Sequence, residues 1–423
     1  MLNRINAPEL TIPGSLHIPE AIVDQLNNGS PYITINSGTQ EVIKIDLIFE
    51  AGSAYSSHPI IANTCNRLIE EGSGQFSSAE ISEMLDQYGA YFVTEAGNEF
   101  ATISLYTTCK FILQTLPVLK TILTEPTFAE EEIETYKMQG KQRLAINLNK
   151  VDFLARRNFL NTIYGDNHPL GIMSKSEDFD MLNKETLLKF YHDNYRNKLR
   201  AVFVAGKLSS EHENAIKNLI EELNFNHSNS NNVVENTILN PKSTYINKKD
   251  SIQAAIRIGK KMFNRKHEDY FDFTILNTIL GGYFGSRLMS NIREDKGFTY
   301  GIGSGLATDI NDGYFFITTE VGANVVNDAL KEIYFEVERL RNELVLEEEL
   351  NLVKNYLFGS FERSIDGVFP LSERHKTLHL NNLKSGHYLN YIARLKSITA
   401  EDIRLCAQKH LEKSSFSEVV VGP

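Results

Sequence analysis

The chain has 423 residues, of which 42% are hydrophobic and 23% are charged, so it is long enough for two or more domains with full cores and is not disordered on a large scale. Its formal net charge of −11 argues against nucleic acid or an anionic membrane as the main partner, because both bind basic surfaces. The three cysteines, Cys65, Cys109 and Cys406, are far apart and form no CxxC pair. Neither a disulfide framework nor a thiolate metal site is therefore indicated.

The N-terminal stretch MLNRINAPELTIPGSLHIPE has no apolar run of signal-peptide length, and no later run approaches 18 apolar residues. We therefore expect a cytoplasmic protein without membrane contact.

The first clear element is VIKIDLIFEAG, from Val42 to Gly52, whose alternation of apolar and polar residues is typical of a strand. The pattern of Ala62 to Gly72 then predicts a helix that ends at the glycine. Asn63, Asn66 and Arg67 lie at i, i+3 and i+4 of this helix, so three polar side chains share one face.

The segment Asn224 to Ser251 is rich in Asn and Ser and divides the chain almost in half, which predicts a linker at residues 226–250 between domains 1–225 and 251–423. The second half again begins with a strand pattern, SIQAAIRIG, followed by a helical one. Two short matches connect the halves: FAEEEIETYKMQGKQR with VLEEELNLVKNYLFGS, and SSAEISEMLDQYGAYF with GSRLMSNIREDKGFTY. We expect an α+β fold of two homologous domains that arose by duplication, each an antiparallel-type sheet with helices packed on one face.

Four stretches of the sequence share a resemblance: the string from Glu41 to Phe92, LNNG at Leu26, IYGDNHPLG at Ile163 and GGYFGSRLMSNIREDKGFTYGIGSG at Gly281. Together they resemble the pitrilysin (insulinase) family of zinc peptidases. The resemblance extends from about Leu26 to the C-terminus, and the chain length matches the two-domain branch that includes mitochondrial processing peptidase subunits. It implies two related α+β domains that face one another, and a dimer that closes a chamber around an unfolded peptide.

Active members of that family carry His-x-x-Glu-His on the first helix and a third ligand, a glutamate, roughly 75 residues later. At the matching positions this chain has Asn63, Asn66 and Arg67, and the window for the third ligand reads GKQRLAINL. Asparagine is a poor zinc ligand and a guanidinium repels a dication. The resemblance therefore implies a degenerate metal site and no zinc in this chain. A helix whose polar face is merely solvated would lead to the same expectation.

Other histidines are weaker candidates. His375 and His379 in ERHKTLHL have the i, i+4 spacing of zinc ligands, but no glutamate shares their face. His58 and His168 stand next to prolines in turn-like strings, where a role in capping or fixing a loop is expected. The serines lack any GxSxG context, so a serine nucleophile is not predicted.

The second half keeps another feature of the family. In active members an Arg and a Tyr seven residues apart hold a substrate carbonyl near the metal, and Arg293 and Tyr300 occupy these places. Their donors would orient a peptide carbonyl or stabilise charge on its oxygen. Gly281, Gly282 and Gly285 would let the backbone approach a ligand or adopt positive φ. In the structural alternative, Arg293 pairs with a neighbouring carboxylate, Glu294 or Asp295, and Tyr300 caps a strand.

Three functions are consistent with these residues. The leading hypothesis is a non-catalytic subunit of a heterodimeric peptidase, paired with an active pitrilysin-family subunit that supplies zinc and the general base. This chain would then form half of a chamber for unfolded peptide. The second is a homodimer that binds peptides or has a structural role without proteolysis. The third is a peptidase with displaced ligands such as His375 and His379, which the sequence does not favour.

Overall fold

The computed structural model describes residues 18–74, 76–228 and 239–423, and these form two separate sheets with helices packed against them. The first half contains strands β1 (Ile22–Gln25), β2 (Pro31–Asn36), β3 (Val42–Phe49), β4 (Tyr91–Ala96), β5 (Ala101–Thr108) and β6 (Leu199–Gly206). Its helices are α1 (Pro59–Leu68), α2 (Ser78–Asp86), α3 (Ile112–Thr124), α4 (Glu130–Asn147), α5 (Val151–Tyr164), α6 (Lys184–Phe190) and α7 (Ser210–Glu222). A π-helix, Tyr191–Arg196, continues α6.

The second half contains strands β7 (Ser243–Asn247), β8 (Gln253–Met262), β9 (Thr299–Thr308), β10 (Gly313–Gly322) and β11 (Ser417–Gly422). Its helices are α8 (Tyr270–Asn277), α9 (Val326–Asn342), α10 (Glu347–Arg363), α11 (Val368–Leu380), α12 (His387–Ser397) and α13 (Ala400–His410). Two π-helices, Thr278–Gly282 and Met289–Asp295, lie between α8 and β9. No helix within the described ranges is both long and apolar enough to cross a bilayer.

The strand orders of the two sheets confirm the duplication. The first sheet runs β1-β2-β6-β3-β5-β4 and the second runs β7-β11-β8-β10-β9. Once β1 is set aside, the strands correspond one to one in chain order. The single parallel pair is also at the same place in each sheet, β2 with β6 and β7 with β11, and the other pairs are antiparallel. The two halves are therefore copies of one α+β unit, joined without a continuous sheet.

Each sheet is covered on one face by helices of its own half and on the other by a helix of the opposite half. Helix α5 of the first half packs its Phe159 and Ile163 against Ala255 and Val419 of the second sheet. In return, α11 of the second half packs Leu371 against the first sheet. We call this arrangement the helix exchange. It covers the second face of the central strands, which accounts for the nearly continuous burial of β3 and β6.

The helix exchange also brings charged residues into the protein. Lys44 and Asp46 of β3 are buried beneath α11, where Lys376 Nζ lies 2.8 Å from Asp46 Oδ2. Lys44 Nζ lies 3.0 Å from the same carboxylate oxygen, and Ser104 Oγ donates to the other. Burial lowers the pKa of Lys44, but its two carboxylate neighbours outweigh this and the pKa is raised overall. The buried charges are therefore paired, as the low dielectric of an interior requires.

The equivalent hairpin turns of the two sheets, β4 to β5 and β9 to β10, meet between the halves. Asn98 donates a 3.0 Å hydrogen bond to Asp309, and the carboxylate of Glu99 accepts the backbone N–H of Ile310 at 2.9 Å. Burial, followed by the charge of Asp309, raises the pKa of Glu99 to about 8. The same causes raise the pKa of Asp312 to about 6. The halves therefore meet at a group of carboxyl groups whose raised pKa values make them hold protons more readily than exposed carboxyls do.

The predicted linker, residues 226–250, is only partly described, since residues 229–238 lie outside the described ranges, as do residues 1–17 of the first predicted domain. Ser243–Asn247 lies within the predicted linker but forms β7, which pairs parallel with β11. This edge strand is half exposed and contains few apolar residues, so its composition resembles that of a loop. The domain limits at 225 and 251 stay a prediction.

Candidate functional site

Helix α1 carries Asn63, Asn66 and Arg67, the three residues that the resemblance aligns with the family's metal motif. It begins at Pro59, where the ring nitrogen Nδ1 of His58 accepts the N–H of Ile60 and caps the helix. It ends at Leu68, and a turn then leads to Gly72, which has a φ of +127°. The capping role expected for His58 is therefore confirmed.

The three motif positions do not converge on one point. Asn66 is buried, and its amide donates a 3.1 Å hydrogen bond to the hydroxyl oxygen of Tyr195 in the π-helix that follows α6. Arg67 is exposed and pairs with Glu70 and Glu71 of its own helix end. Asn63 is also exposed, one turn before Arg67 on the same helix. The three side chains therefore differ in burial: Asn66 points into the core while Asn63 and Arg67 face solvent, so no inward face shared by all three is formed.

A cleft of about 230 Å³ lies between α1 and α4 and contains Asn63. Its α4 wall includes Gln139, Gly140 and Arg143, so the window in which the third zinc ligand would stand faces Asn63 across the cleft. Ten residues line it, and none of them is acidic: Ile60, Asn63, Tyr136, Gln139, Gly140, Arg143, Leu144, Asn147, Ser174 and Phe179.

These residues do not fit zinc. Amides and a guanidinium supply no anionic or imidazole ligand, and the positive charge of Arg143 opposes a dication. Across residues 18–74, 76–228 and 239–423, no group of three or more His, Cys, Asp or Glu is placed to hold a metal ion. The sequence indicated the window on α4, but it gave no reason to select Arg143 or Tyr136 within it, because neither residue belongs to a metal motif.

Arg293 and Tyr300 lie close together on the second half, in the π-helix Met289–Asp295 and in edge strand β9. The guanidinium carbon of Arg293 lies 5.6 Å from the centroid of the Tyr300 ring and 4.6 Å from that of Phe284. Tyr300 is 91% exposed and Phe284 is 63% exposed. Among the described residues Arg293 forms no salt bridge with Glu294, Asp295 or any other carboxylate. Its charged group instead lies over the two rings. Sequence reasoning missed Phe284 because an aromatic residue in a glycine-rich turn belongs to no motif.

The glycines of the same region serve packing. A Cβ at Gly281 would lie 2.6 Å from Ser304 Oγ, so this glycine lets the π-helix Thr278–Gly282 approach strand β9. A Cβ at Gly285 would lie 2.8 Å from the ring of Tyr283. None of Gly281, Gly282 and Gly285 has a positive φ, so that part of the expectation was wrong. Whether any of them contacts a ligand stays a prediction.

The remaining histidines have structural partners. On α11, His375 Nε2 lies 2.9 Å from the carbonyl oxygen of Pro19, and the ring of His379 packs against Phe203. Both belong to the helix that covers the first sheet, and neither is part of a group of three or more His, Cys, Asp or Glu placed to hold a metal within the described ranges. His168 Nδ1 accepts the N–H of Leu170 at 3.1 Å, and its ring stacks on Tyr164, which confirms its expected role in fixing a loop.

Comparison with known proteins gives consistent similarities. Residues 32–173 match the family model described as insulinase (peptidase family M16), and residues 181–357 match the model described as peptidase M16 inactive domain. An uncharacterized zinc protease of Rickettsia bellii is 24% identical over 414 residues, covering 95% of this chain and 97% of that protein.

Two solved structures share the fold. A peptidase M16 inactive domain from Pseudomonas fluorescens superposes with a TM-score of 0.86 at 21% identity, covering 96% of this chain and 98% of that one. A protease from Helicobacter pylori superposes with a TM-score of 0.84 at 16% identity, covering 96% of this chain and 100% of that one.

Proposed function

Because this chain belongs to the insulinase family of peptidases, family M16, we propose that it is the non-catalytic subunit of a heterodimeric zinc peptidase. Its partner is an active member of the family, which supplies the zinc ion and the general base. This chain supplies half of a chamber for unfolded peptide and holds the peptide near the partner's metal through Arg293 and Tyr300.

One contrast carries the proposal. The positions aligned with the metal ligands carry no group that binds zinc. Asn63 faces Arg143 across a cleft without acidic residues, and Asn66 is hydrogen-bonded to Tyr195 in the core. Arg293 and Tyr300, in contrast, remain adjacent and accessible. A subunit that leaves the chemistry to a partner needs the second set of residues and not the first. Loss of all function would remove selection on both sets of residues, the metal-ligand positions and the Arg293/Tyr300 pair.

The sheets offer a way to hold a peptide. Strands β4 and β9 are edge strands, so each presents unpaired backbone groups to which an extended peptide can add as a further strand. Tyr300 lies on β9, and Arg67 lies beside Tyr91 and Phe92 of β4 in one groove. Side chains next to these edges would then select the peptide. The net charge of −11 favours basic peptides in this role.

The three cysteines support a cytoplasmic location for this complex. All three are free in the structure, and Cys65 and Cys406 are buried. Unpaired buried thiols are common in reducing compartments and rare in small secreted domains.

The test is to mix the purified chain with an M16 protein of the same organism that has an intact His-x-x-Glu-His motif, and to measure cleavage of an unstructured basic peptide. We expect cleavage only in the mixture. Removal of one donor of an oxyanion-type site typically costs on the order of 10²-fold in kcat, so Arg293→Ala and Tyr300→Phe should slow the assembled complex by about that factor. Glu294→Gln, an exposed neighbour, is the matched control and should leave the rate within about twofold.

Size measurements separate this proposal from the alternative of a homodimeric peptide-binding or structural protein. A chain that forms a stable dimer with itself and does not associate with the active protein favours that alternative. Stoichiometric zinc together with chelator-sensitive cleavage by the isolated chain would contradict both.

A further inference from the structure

The cleft between α1 and α4 has the opposite charge from a metal site. It contains one full positive charge, that of Arg143, and no carboxylate. Around this charge stand the amides of Asn63, Gln139 and Asn147 and the hydroxyl of Tyr136. Guanidinium and amide N–H groups are donors, and the guanidinium fork matches the geometry of a carboxylate. The lining therefore suits an anion.

The donors of the cleft are not engaged elsewhere. Within the described part of the chain, the side chains of Asn63, Gln139, Arg143 and Asn147 form no hydrogen bond and Arg143 forms no ion pair. The other cations of α4 behave differently, since Lys137 pairs with Glu134 at 2.5 Å and Lys141 pairs with Asp180 at 2.6 Å. Arg143 is thus the cation of this helix that remains available to a ligand.

The cleft also has an apolar wall, formed by Ile60, Leu144 and Phe179. Phe179 reaches this position because residue 140 is glycine: a Cβ there would lie 2.1 Å from Cε1 of the Phe179 ring. The volume of about 230 Å³ is smaller than the roughly 300–1,000 Å³ of sites for drug-sized ligands. Its size therefore suits one residue of a peptide, with an apolar side chain on the wall and an anionic group on the donors.

We propose that this cleft binds a peptide carboxylate, in the place where active family members bind zinc. The proposal rests on the proposed function, because it takes peptide as the ligand of this chain. The carboxylate is either the C-terminus of the peptide or the side chain of an acidic residue, and both present the same two oxygens to Arg143. Binding through this cleft would anchor one end of the peptide in this subunit.

The experiment measures fluorescence anisotropy of three labelled hexapeptides with the purified full chain. All three consist of glycine and serine and end in leucine: one has a free C-terminal carboxylate, one is amidated, and one is amidated with an aspartate before the leucine. We expect the free acid to bind about tenfold or more tightly than the plain amide, since hydrogen bonds to charged groups are stronger than neutral ones. If the aspartate peptide binds as tightly as the free acid, the side-chain carboxylate is also a ligand.

The variants assign the binding to the cleft. Arg143→Gln should remove the preference for the carboxylate, whereas Lys141→Gln, on the same helix and outside the cleft, should keep it. Equal binding of all three peptides, absence of binding at millimolar concentration, or an unchanged preference in Arg143→Gln would overturn the proposal. Arg143 is exposed, so the variant should fold, and an unchanged thermal midpoint verifies this.

This assay needs no partner protein, so its outcome is separable from that of the cleavage assay. If the active partner gains nothing from this chain, the proposed function fails even where the carboxylate preference is found. If the partner is stimulated but Arg143→Gln behaves as wild type in both assays, only the carboxylate site fails.

Discussion

The side-chain amide of Asn66 donates a 3.1 Å hydrogen bond to the hydroxyl oxygen of Tyr195, and both side chains are buried. The resemblance aligns Asn66 with the glutamate that activates water in active members of the family. Burial raises the pKa of Tyr195 well above its usual range, so this hydroxyl stays neutral and the pair is uncharged. The position that the resemblance assigns to the general base is therefore part of the core.

Asn66→Glu should destabilise the chain, because it places a carboxylate at a buried position whose side-chain hydrogen-bond partner, among the described residues, is the hydroxyl of Tyr195. Burial of a poorly compensated polar group costs about 1–3 kcal/mol, and more when the group is charged. Urea denaturation at pH 7 measures the change, with Asn63→Gln as the control at an exposed site of the same helix. Equal stability of Asn66→Glu and wild type would show that the site is more open than the structure indicates.

Restoring the motif should not restore zinc binding by itself. The variant Asn63→His, Asn66→Glu, Arg67→His regains two imidazoles, but Arg143 still opposes a dication from across the cleft, and catalytic sites hold zinc with three protein ligands. We expect substoichiometric zinc by elemental analysis after dialysis. Adding Arg143→Glu should increase the bound zinc, because it removes the repulsion and supplies a carboxylate. Full occupancy without this fourth change would contradict the role given to Arg143.

Phe284 should act as a positioning residue for Arg293, because its ring centroid lies 4.6 Å from the guanidinium carbon. A cation–π contact at an exposed site contributes about 0.5–1 kcal/mol. Phe284→Ala should therefore lower kcat of the assembled complex by about two- to fivefold, less than Arg293→Ala does, and Phe284→Tyr should restore it. A loss as large as that of Arg293→Ala would mean that Phe284 contacts the peptide directly.

Glu99 should make stability depend on pH. Its pKa is raised to about 8 in the folded chain, chiefly by burial, from the ordinary value of 4.5 for a glutamate. An acid with a raised pKa gives its full contribution to stability below pH 4.5, where it is protonated in both states, and the contribution declines as the pH rises toward 8. Glu99→Gln should therefore increase the free energy of unfolding at pH 8 by up to about 4 kcal/mol, and change it little at pH 4.5.

Urea titrations across this pH range measure the effect, and Glu95→Gln, an exposed carboxylate on β4, serves as the control. A parallel shift of the Glu99→Gln curve at every pH would show that the side chain acts through packing and not through its proton.

The helix exchange should make the two halves fold as one unit. Leu371→Ala on α11 removes a side chain that is 2% exposed against the first sheet, and we expect a loss of about 2–5 kcal/mol. Calorimetry should show one transition that shifts as a whole. Leu389→Ala, where the side chain is 52% exposed, should have little effect.

A second form of the same test cuts the chain. With a protease site introduced within residues 229–238, the cleaved chain should still elute as one species, because α5 and α11 each remain packed against the sheet of the other half. Separation into two fragments under native conditions would contradict this coupling.

The duplication could be predicted from the sequence because it left local signals. The matched EEE strings begin α4 and α10, which take equivalent places in the two halves. The matched glycines Gly89 and Gly297 have φ values of +61° and +65°, a conformation that favours glycine. Signals of this kind depend on residues that are adjacent in the chain, so they can be read directly from the sequence.

The surroundings of β3 could not be predicted in this way. Lys44 and Asp46 alternate with apolar residues, which is typical of a strand with one solvated face. Both are buried because α11 covers that face, and the partner of Asp46, Lys376, is 330 residues away in the chain. The same reason applies to the cleft, because Arg143 lines it only in combination with Asn63, which belongs to a different helix. Contacts of this kind leave no local pattern.

The helix exchange has the connectivity of a domain-swapped homodimer whose two protomers have become one polypeptide. In a symmetric pair encoded by one gene, a substitution that alters one binding surface alters its twin as well. Fusion removes that constraint while the mutual covering of the sheets keeps the copies together. Each copy of a fused pair can therefore specialise, as the proposed function requires of the α1–α4 cleft in one half and of Arg293 and Tyr300 in the other.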